Sequence, residues 1–479
     1  MSKKNRNDQI PTPLSYVEEM LDRIGYQDHI VGKKVLENSC GQGNILCAIV
    51  KRYIAEAKRV GMENHKIAAG LQRDIMAFEI DEAERHICIH RLNDLCYAEG
   101  IPAVEWNILK TDFLKFDIDK IQADYVIGNP PYVTYHDIDE IERAVLHEKF
   151  VVCKKGRYDY CYAFIEASMR ALAPDGKLIY LIPFSIFRNR YAGELRKYIW
   201  NNVTEIIDFT GKKVFDGITC STAFLICEKG HHVDEIMVEH VLSGQRIVVP
   251  RTQLDSKGQK WIFQMKDGAG TNVFHDYFEV HNSVATLLNE AFLIMPVSET
   301  EKFLQIDSGK NIERKICLPA ISTKSAKNKK DKAKQYIIFP YSRSNDIIER
   351  YEEKDFEKMF PCTYQHMLQY KERLLKRKAD QSVKWYEYGR GQLLNELWKE
   401  KLVLPMVVTR RAKTYYADEE TVPYAGYFIT QKEGSCFTLE DARIILESAE
   451  FYEYVQIVGT PTTETSYRVS VEDIKQYRF

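Results

Sequence analysis

The chain of 479 residues is too long for one compact core, so we expect two or three domains. Its composition, 45% hydrophobic and 28% charged, is typical of a globular protein, and we find neither a secretory signal nor an apolar run of the ~18 residues that a membrane span needs. The net charge of −2 is unevenly distributed, because residues 310–413 hold 25 Lys and Arg against 13 Asp and Glu, which predicts a polyanionic partner.

Short apolar runs alternate with longer amphipathic ones between residues 30 and 230. The apolar runs predict seven strands: Lys34–Leu36, Ala77–Ile80, Val104–Asn107, Tyr125–Gly128, Lys177–Pro183, Val203–Phe209 and Ser221–Cys227. Helical patterns lie between most of them: Gly43–Val60, Glu82–Glu99, Tyr160–Leu172 and Asn189–Asn201. This alternation predicts a doubly wound α/β sheet with ligands at the carboxyl ends of its strands. A short connection between the last two strands predicts a hairpin at the sheet edge.

The alternation ends after Lys229. Residues 231–275 are polar, and we interpret them as a connector. Residues 276–479 mix strands and helices and are rich in aromatic side chains, which predicts a separate α+β domain. The lysine-rich stretch Lys324–Lys334 predicts an exposed loop.

Three of the predicted strands are followed by residues that suit an adenosine-containing ligand. Gly41 and Gly43 follow the first strand and allow a tight turn close to a ligand, although a single G-x-G is a weak signal. Glu79 lies at the end of the second strand, where a carboxylate can hold ribose hydroxyls. Asp112 and Phe113 follow the third, where they can accept from an adenine amine and pack on its ring. Each acid alone is more often a surface charge, but their order predicts an adenosine pocket.

The cysteines and histidines predict no metal site. Eleven cysteines are scattered without a C-x-x-C pair, which indicates reduced thiols in a cytosol. His86, Cys88 and His90 lie close together, but no second group of ligands accompanies them. We therefore interpret them as part of a solvated helix face.

The sharpest motif is Asn129-Pro130-Pro131-Tyr132, directly after the apolar strand that ends at Gly128. The prolines make the loop rigid and extended. The side-chain oxygen of Asn129 and the carbonyl of Pro130 can then hold both hydrogens of an exocyclic NH2 group, which frees the nitrogen lone pair for attack. Tyr132 would offer its ring to the base. The alternative is a structural proline-rich loop.

In this order, the motifs resemble those of the gamma class of N6-adenine DNA methyltransferases of restriction-modification systems, the TaqI type. The resemblance covers about residues 10–230 and implies a Rossmann-like class I S-adenosylmethionine-dependent methyltransferase domain at 1–230. It continues more weakly over Asp276–Phe292, Ile338–Tyr341 and Lys384–Arg390, which implies a target-recognition domain at 276–479.

The resemblance also assigns roles to individual residues. It implies that a segment beginning at Thr12 closes the cofactor pocket, that Glu37 approaches the methionine end, and that Glu79 approaches the ribose. The full set of implied residues for S-adenosylmethionine is Thr12, Glu37, Ser39, Gly41, Gly43, Glu79, Asp112 and Phe113. Asn129, Pro130 and Tyr132 would be catalytic. Phe215 matches a position whose ring stacks on the flipped-out base, and a buried core phenylalanine is the alternative.

The implied partner is double-stranded DNA, with a separate cognate restriction endonuclease as a further possible partner, in a bacterial or archaeal cytosol near the nucleoid. Basic residues of the second domain are the candidates for DNA contacts: Lys324, Lys327, Lys329, Lys330, Arg343, Arg390, Arg410 and Arg411. Arg373–Lys378 is a further candidate for phosphate contacts. For any single lysine, a solvated surface position is the alternative.

Two departures and three rival functions accompany the resemblance. Asn38 stands where many relatives carry proline after the acid of the first motif, and Asn282–Val284 lacks an expected glycine. The same NPPY chemistry serves enzymes that methylate a protein glutamine amide, and RNA is another possible substrate. A non-catalytic DNA-binding subunit is the third rival. The long basic segment after the motifs favours DNA.

Overall fold

The computed structural model describes residues 11–212, 214, 221–254, 256–263, 270–306, 309–327, 335–344, 347–390, 393–463 and 465–479. The chain forms two compact units, Met1–Met265 with Thr460–Thr465, and Lys266–Gly459 with Ser466–Phe479. Among the described residues, no helix has the length and apolar character needed to cross a bilayer.

The first unit is an α/β fold around a nine-stranded sheet, which confirms the predicted fold class. Its strands are β1 Val35–Glu37, β2 Ile75–Phe78, β3 Asn107–Leu109, β4 Ala123–Gly128, β5 Leu172–Pro183, β6 Val203–Asp208, β7 Thr222–Glu228, β8 Glu235–His240 and β9 Gln245–Pro250. Its helices are α1 Leu14–Arg23, α2 Asn44–Arg59, α3 Asn64–Asp74, α4 Glu82–Ala98, α5 Glu140–Lys149, α6 Tyr160–Ala171 and α7 Gly193–Ile199. The seven predicted strands and four predicted helices each overlap one of these elements, with shifted ends, and the prediction Val104–Asn107 shares only its last residue with β3.

The strand order β3-β2-β1-β4-β5-β7-β6-β8-β9 creates the site. β1 pairs in parallel with both β2 and β4. From β1 the chain continues through β2 and β3 on one side, and then crosses to add β4 on the other side of β1. The loops after β1 and β4 therefore meet at the carboxyl edge of the sheet, where such folds bind ligands.

Helices cover both faces of the sheet, because its central strands are apolar on both sides. Along β5, Leu178 and Ile182 belong to one core cluster, whereas Ile179 and Leu181 belong to the other. Successive side chains of a strand point to opposite faces, so a continuous apolar run needs cover on each.

The segment predicted as a connector instead extends the sheet. β8 pairs in parallel with β6, and β9 pairs with β8, so the β6–β7 hairpin is antiparallel as predicted but does not form the edge. The polar appearance arises because only alternate residues of β8, Ile236 and Val238, are buried. The buried Arg251 fastens the segment further, since its guanidinium donates to the carbonyls of Val233 and, at 2.7 Å, Val203.

The second unit mixes small sheets with short helices, as the α+β prediction required. Its strands are β10 Phe278–Asn282, β11 Leu293–Ile294, β12 Ser298–Glu299, β13 Phe303–Gln305, β14 Asn311–Glu313, β15 Cys317–Ser322, β16 Tyr336–Ile338, β17 Tyr341–Ser344, β18 Ile347–Arg350, β19 Lys401–Leu404, β20 Val407–Thr409, β21 Tyr415–Ala417, β22 Val422–Ala425, β23 Tyr427–Gln431 and β25 Ser466–Arg468, while β24 Thr460–Thr463 is grouped with the first unit. Its helices are α8 Phe274–Tyr277, α9 Asn289–Phe292, α10 Thr323–Lys327, α11 Glu353–Met359, α12 Pro361–Leu368, α13 Lys371–Leu375, α14 Leu439–Leu446, α15 Ala449–Val458 and α16 Val471–Lys475.

The three segments that resemble a target-recognition domain pack together around Tyr388. Its ring lies 5.3 Å from that of Phe292 and 5.5 Å from that of Tyr341. Its hydroxyl donates to the carbonyl of Ile338 at 2.9 Å, and its backbone N–H donates to the hydroxyl of Tyr341. These segments therefore form one core, although up to about 100 residues separate them in sequence.

Candidate active site

The glycine loop after β1 has a backbone that only glycine adopts without strain. Gly41 and Gly43 have φ values of 49° and 81°, in the left-handed region. A Cβ on Gly43 would lie 2.5 Å from the sulfur of Cys88, so a side chain is excluded there by space as well. Gly43 is the residue before α2, and the loop thus turns sharply from strand into helix.

Glu79 ties the end of β2 to this loop. Its carboxylate accepts the backbone N–H of Gly41 at 2.8 Å and that of Asp81 at 2.8 Å. Burial raises the pKa of Glu79, and the hydrogen bonds partly oppose that rise. The backbone N–H of Ile80 also interacts with the carboxylate. A carboxylate has about four acceptor positions, so at least one is left for a hydroxyl group of a ligand.

Glu37, at the end of β1, has a buried oxygen that suits a positively charged ligand. Its side chain is 2% exposed, and Oε2 has no hydrogen-bond partner among the described residues. The backbone N–H of Leu46 donates to the carboxylate, but burial and then Cys88 raise its pKa well above the usual range. An amine placed against Oε2 would satisfy this atom and stabilise the ionised carboxylate.

The NPPY loop after β4 is held by residues from two other segments. The hydroxyl of Ser39 donates to the backbone carbonyl of Asn129 at 3.2 Å. The amide nitrogen of Asn129 donates to the hydroxyl of Thr12 at 3.2 Å. Its amide oxygen Oδ1 is buried and, within the described part of the chain, unpartnered. The structure thus brings Thr12, Ser39 and Asn129 together and leaves one strong acceptor free.

The rest of the loop is also fixed in place. Pro130 is buried, and the hydroxyl of Tyr132 donates to the carbonyl of Leu181 at 2.9 Å. Because Leu181 lies near the end of β5, the ring of Tyr132 is set by the sheet itself.

Asp112 and Phe113 differ in how well they fit the roles that the resemblance implies. Asp112 follows β3, is 17% exposed and accepts the N–H of Leu114 at 3.0 Å, so acceptor positions are left over. Phe113 is 1% exposed, with its ring 5.1 Å from that of Phe78 and 5.9 Å from that of Phe164. These are core contacts, and they give the predicted packing on an adenine ring no support. Phe215, the predicted base-stacking residue, lies outside the described residues.

Some residues around the site were missed by the sequence analysis. Arg91 donates to the side-chain oxygen of Asn44 at 2.7 Å, and Asn44 donates to the carbonyl of Thr12 at 3.2 Å. Asn38 donates to the hydroxyls of Ser168, at 2.7 Å, and Tyr180. The one available signal was the departure of Asn38 from the proline of many relatives.

The histidines of α4 do not approach one another. His86 pairs with Glu82 at 2.8 Å, His90 pairs with Asp94 at 3.0 Å, and both rings are exposed. Cys88, by contrast, is buried against the glycine loop. The described residues contain no group of three or more side chains arranged to hold a metal ion.

The predicted DNA-binding residues are dispersed over the second unit. Lys324, Arg390 and Arg410 are exposed, and Arg410 has a left-handed φ of 56°. Arg411 donates to the carbonyl of Glu447 at 2.7 Å, and the Arg343 guanidinium lies 4.1 Å from the ring centre of Trp398. The side chain of Lys327, and Lys329 and Lys330 altogether, lie outside the described residues.

Arg373–Lys378, another candidate for phosphate contacts, serves the fold in part. Arg377 donates to the carbonyls of Thr286 and, at 2.8 Å, Trp385, and burial lowers its pKa. Arg373 forms a bidentate pair with Glu290 at 2.8 and 3.0 Å. Arg377 is therefore not available to DNA.

Comparisons with known proteins agree with the motifs. Residues 51–215 match the family model of the Eco57I restriction-modification methylase. The Type II methyltransferase M.HincII of Haemophilus influenzae is 27% identical over 271 residues, 54% of this chain and 53% of that protein. The Type II restriction enzyme and methyltransferase RM.Eco57I of Escherichia coli is 22% identical over 322 residues, 58% of this chain and 32% of that protein. The chain thus spans about half the length, or less, of these relatives, and the resemblance found in the motifs is confirmed.

The fold agrees as well. The solved structure of the Type IIL restriction-modification enzyme MmeI in complex with DNA aligns with 97% of this chain, at a TM-score of 0.61 and 12% identity. The alignment covers 66% of that structure.

Proposed function

We propose that this chain transfers a methyl group from S-adenosylmethionine to the N6 amine of adenine in DNA. The match of residues 51–215 to the Eco57I restriction-modification methylase supports the proposal. The observation that carries this proposal is the free oxygen of Asn129. Oδ1 is buried and, in the part of the chain that the structure describes, has no partner, whereas the other end of the same amide is bound to Thr12. A buried acceptor without a donor is costly, so it suits a substrate that brings an N–H group.

An exocyclic amine on a purine ring fits this acceptor. Its two hydrogens would be accepted by Asn129 Oδ1 and the carbonyl of Pro130. This draws the nitrogen towards tetrahedral geometry, so that its lone pair is no longer delocalised into the ring and can attack. The nitrogen then forms the new N–C bond as the C–S bond of the donor breaks, and the amine releases a proton to solvent. Positioning supplies most of the acceleration, and no strong base is required.

S-adenosylmethionine, when bound, supplies an electrophilic methyl group on a sulfonium. Three acids at the carboxyl ends of adjacent strands fit its polar groups. Oε2 of Glu37 would accept from the amino group, the carboxylate of Glu79 would accept from the ribose, and Asp112 would accept from the adenine amine. The glycine backbone at Gly43 allows this approach.

DNA as substrate is supported by the charge of residues 310–413, which lie in the second unit. Lys and Arg side chains there would contact phosphates and supply affinity that depends on salt. The target base must leave the stack to reach Asn129, and Tyr132 offers a ring that offsets part of that cost. We propose that the second unit recognises the target sequence and that the chain is the modification part of a restriction-modification system.

The test is expression in a bacterial host that lacks adenine methylases, followed by modification-sensitive sequencing of native DNA. We expect N6-methyladenine within one short motif. The Asn129→Ala variant should lose at least about 10²-fold in the rate of transfer, as for removal of a preorganised polar group in an active site. Its S-adenosylmethionine Kd, measured by calorimetry, should stay within about twofold.

The matched control is Asn64→Ala, which removes an exposed amide that donates to Gly100 away from the site. It should modify DNA like the wild type. N4-methylcytosine at the modified motif would overturn the choice of base, and unmodified DNA with intact cofactor binding would overturn DNA as the substrate. Full transfer by Asn129→Ala would overturn the mechanism.

A further inference from the structure

We infer that Thr12 is a positioning residue for transfer, because its hydroxyl holds the Asn129 side-chain amide in the position from which the free oxygen can meet the target amine. The inference rests on the proposed function, and it differs from the cofactor role that the sequence resemblance assigns to Thr12. Thr12 is 4% exposed, and its hydroxyl oxygen lies 3.2 Å from the amide nitrogen of Asn129.

An asparagine side chain has two ends of nearly equal shape and opposite hydrogen-bonding character. Only Oδ1 can accept from an exocyclic amine, whereas a reversed amide would place NH2 against NH2. A threonine hydroxyl can pair with either end, so its bond fixes the position of the amide as the structure has it. Ser39 does not restrain the side chain, since it donates to the main-chain carbonyl of Asn129. Among the described residues, Thr12 provides the one recorded hydrogen bond to the side-chain amide.

Thr12 can serve this purpose because its own position is fixed. Its carbonyl accepts from the side chain of Asn44 at 3.2 Å, and Arg91 holds the other end of that side chain at 2.7 Å. Pro13 follows, which restricts Thr12 to extended backbone conformations.

The helix that begins two residues later is itself tied to its surroundings. In α1, Glu18 pairs with Arg52 of α2 at 2.6 Å. On another side, Arg23 pairs with Glu205 of β6 at 2.9 Å and with Glu239 of β8 at 2.7 Å. Ion pairs on two sides therefore hold α1, the helix that follows Thr12, against α2 and the sheet.

The test compares Thr12→Val, which has the same shape without the hydroxyl, with Thr12→Ser, which keeps it. Both are made in the full chain, and thermal unfolding confirms that each is folded. Three quantities are measured: the single-turnover rate on DNA that carries the modified motif, the S-adenosylmethionine Kd by calorimetry, and the side-chain amide ¹H–¹⁵N resonances of Asn129, assigned by their loss in Asn129→Ala.

For Thr12→Val we expect a rate about tenfold lower, which corresponds to the loss of one hydrogen bond. The Kd should stay within about twofold, and the Asn129 amide protons should lose their protection from exchange. Thr12→Ser should restore the rate and the protection. If Thr12→Val weakened S-adenosylmethionine binding and left the rate unchanged, the cofactor role would replace the inference. Equal single-turnover rates for Thr12→Val and Thr12→Ser would also overturn it, because the hydroxyl would then not matter.

The amide resonances separate this inference from the proposed function. If the wild-type protein methylates no DNA, the proposed function fails, but the resonances still show whether Thr12 holds the Asn129 amide. Identical exchange in the wild type and Thr12→Val would overturn the positioning role, whatever the activity.

Discussion

The hydroxyl of Tyr132 donates a hydrogen bond to the carbonyl of Leu181 at 2.9 Å, which joins the loop after β4 to the end of β5. β4 and β5 are parallel neighbours in the sheet. The ring that is proposed to receive the target base is therefore held in place by the sheet. Two parts of Tyr132 can contribute to transfer: the ring, by stacking on the base, and the hydroxyl, by its hydrogen bond.

Substitution at Tyr132 should separate these two contributions. Tyr132→Phe keeps the ring and loses one hydrogen bond, so we expect kcat/KM on DNA to fall by about tenfold or less. Tyr132→Ala also loses stacking, which is worth about 1–3 kcal/mol per base, so its kcat/KM should be lower by a further factor of about 5–150. Equal losses in the two variants would contradict stacking on Tyr132.

The contribution of residues 231–263 to the fold can be tested at Arg196. This arginine is 1% exposed, and its guanidinium donates to the carbonyls of Gln259 at 2.7 Å and Gly258 at 2.8 Å. Arg196→Met would leave these and two further carbonyls, of Ile186 and Asn189, without this donor. Only the bond to Ile186 is fully buried, and water can reach the other three carbonyls. At about 1–3 kcal/mol for a buried group left unsatisfied, we expect the free energy of unfolding to drop by about 1–3 kcal/mol.

Lys197→Met is the matched control for that experiment. Lys197 is the next residue of α7, but its side chain is 39% exposed and pairs with Glu194 on the surface. We expect urea unfolding to show a change of about 0.5 kcal/mol or less. An Arg196→Met protein as stable as this control would show that the hydrogen bonds of Arg196 to Gly258 and Gln259 do not stabilise the first unit.

Much of the first unit could be predicted because each strand and helix there has its own pattern. The predicted Gly43–Val60 and Glu82–Glu99 helices became α2 and α4 with ends shifted by one residue. β8 was missed, since one of its faces is partly exposed and only Ile236 and Val238 mark the other. Alternation in so short a strand is easily mistaken for a polar linker.

The motifs indicated the carboxyl edge of the sheet but not the contacts made there. Thr12 and Asn129 are 117 residues apart, and the sequence contains no signal that their side chains are hydrogen-bonded. For Phe113, the neighbouring acid suggested a ligand, whereas Phe78 and Phe164 supply its packing from other segments. Chain order predicts which loops meet, and tertiary packing decides which atoms pair.

Asp159, the residue before α6, should make stability depend on pH. Burial raises the pKa of Asp159 to about 6, and the backbone N–H of Tyr135 only partly opposes this. The unfolded chain has a pKa of about 3.9 there. Between pH ~4 and ~6 the folded state thus binds more protons, so the free energy of unfolding decreases as pH rises, by about 2–3 kcal/mol in total. Asp159→Asn should remove this decrease in urea unfolding measured at several pH values.

At Asp119 the free energy of unfolding should depend on pH in the opposite direction, which Asp119→Asn tests. A hydrogen bond from Arg170 lowers the pKa of Asp119, so its contribution to stability is present above the unfolded pKa and is lost as pH falls. This variant should therefore lose stability near pH 7 and approach the wild type in acid. If Asp159→Asn followed the same course as Asp119→Asn, the buried position of the Asp159 carboxyl would be disproved.

Arg410 should make a phosphate contact that is visible in the salt dependence of DNA binding. It is exposed, and its left-handed φ of 56° is a conformation that non-glycine residues seldom adopt outside functional sites and turns. Arg410→Gln removes the charge and keeps a polar side chain on the same left-handed backbone. We expect weaker binding to all DNA sequences alike, and a slope of log K against log salt that is smaller by about 0.9.

Arg373→Gln is the control. It removes the same charge at a position where Glu290 already pairs with the guanidinium, so the slope for this variant should equal that of the wild type. Equal slopes for both variants would show that Arg410 faces solvent and not a phosphate.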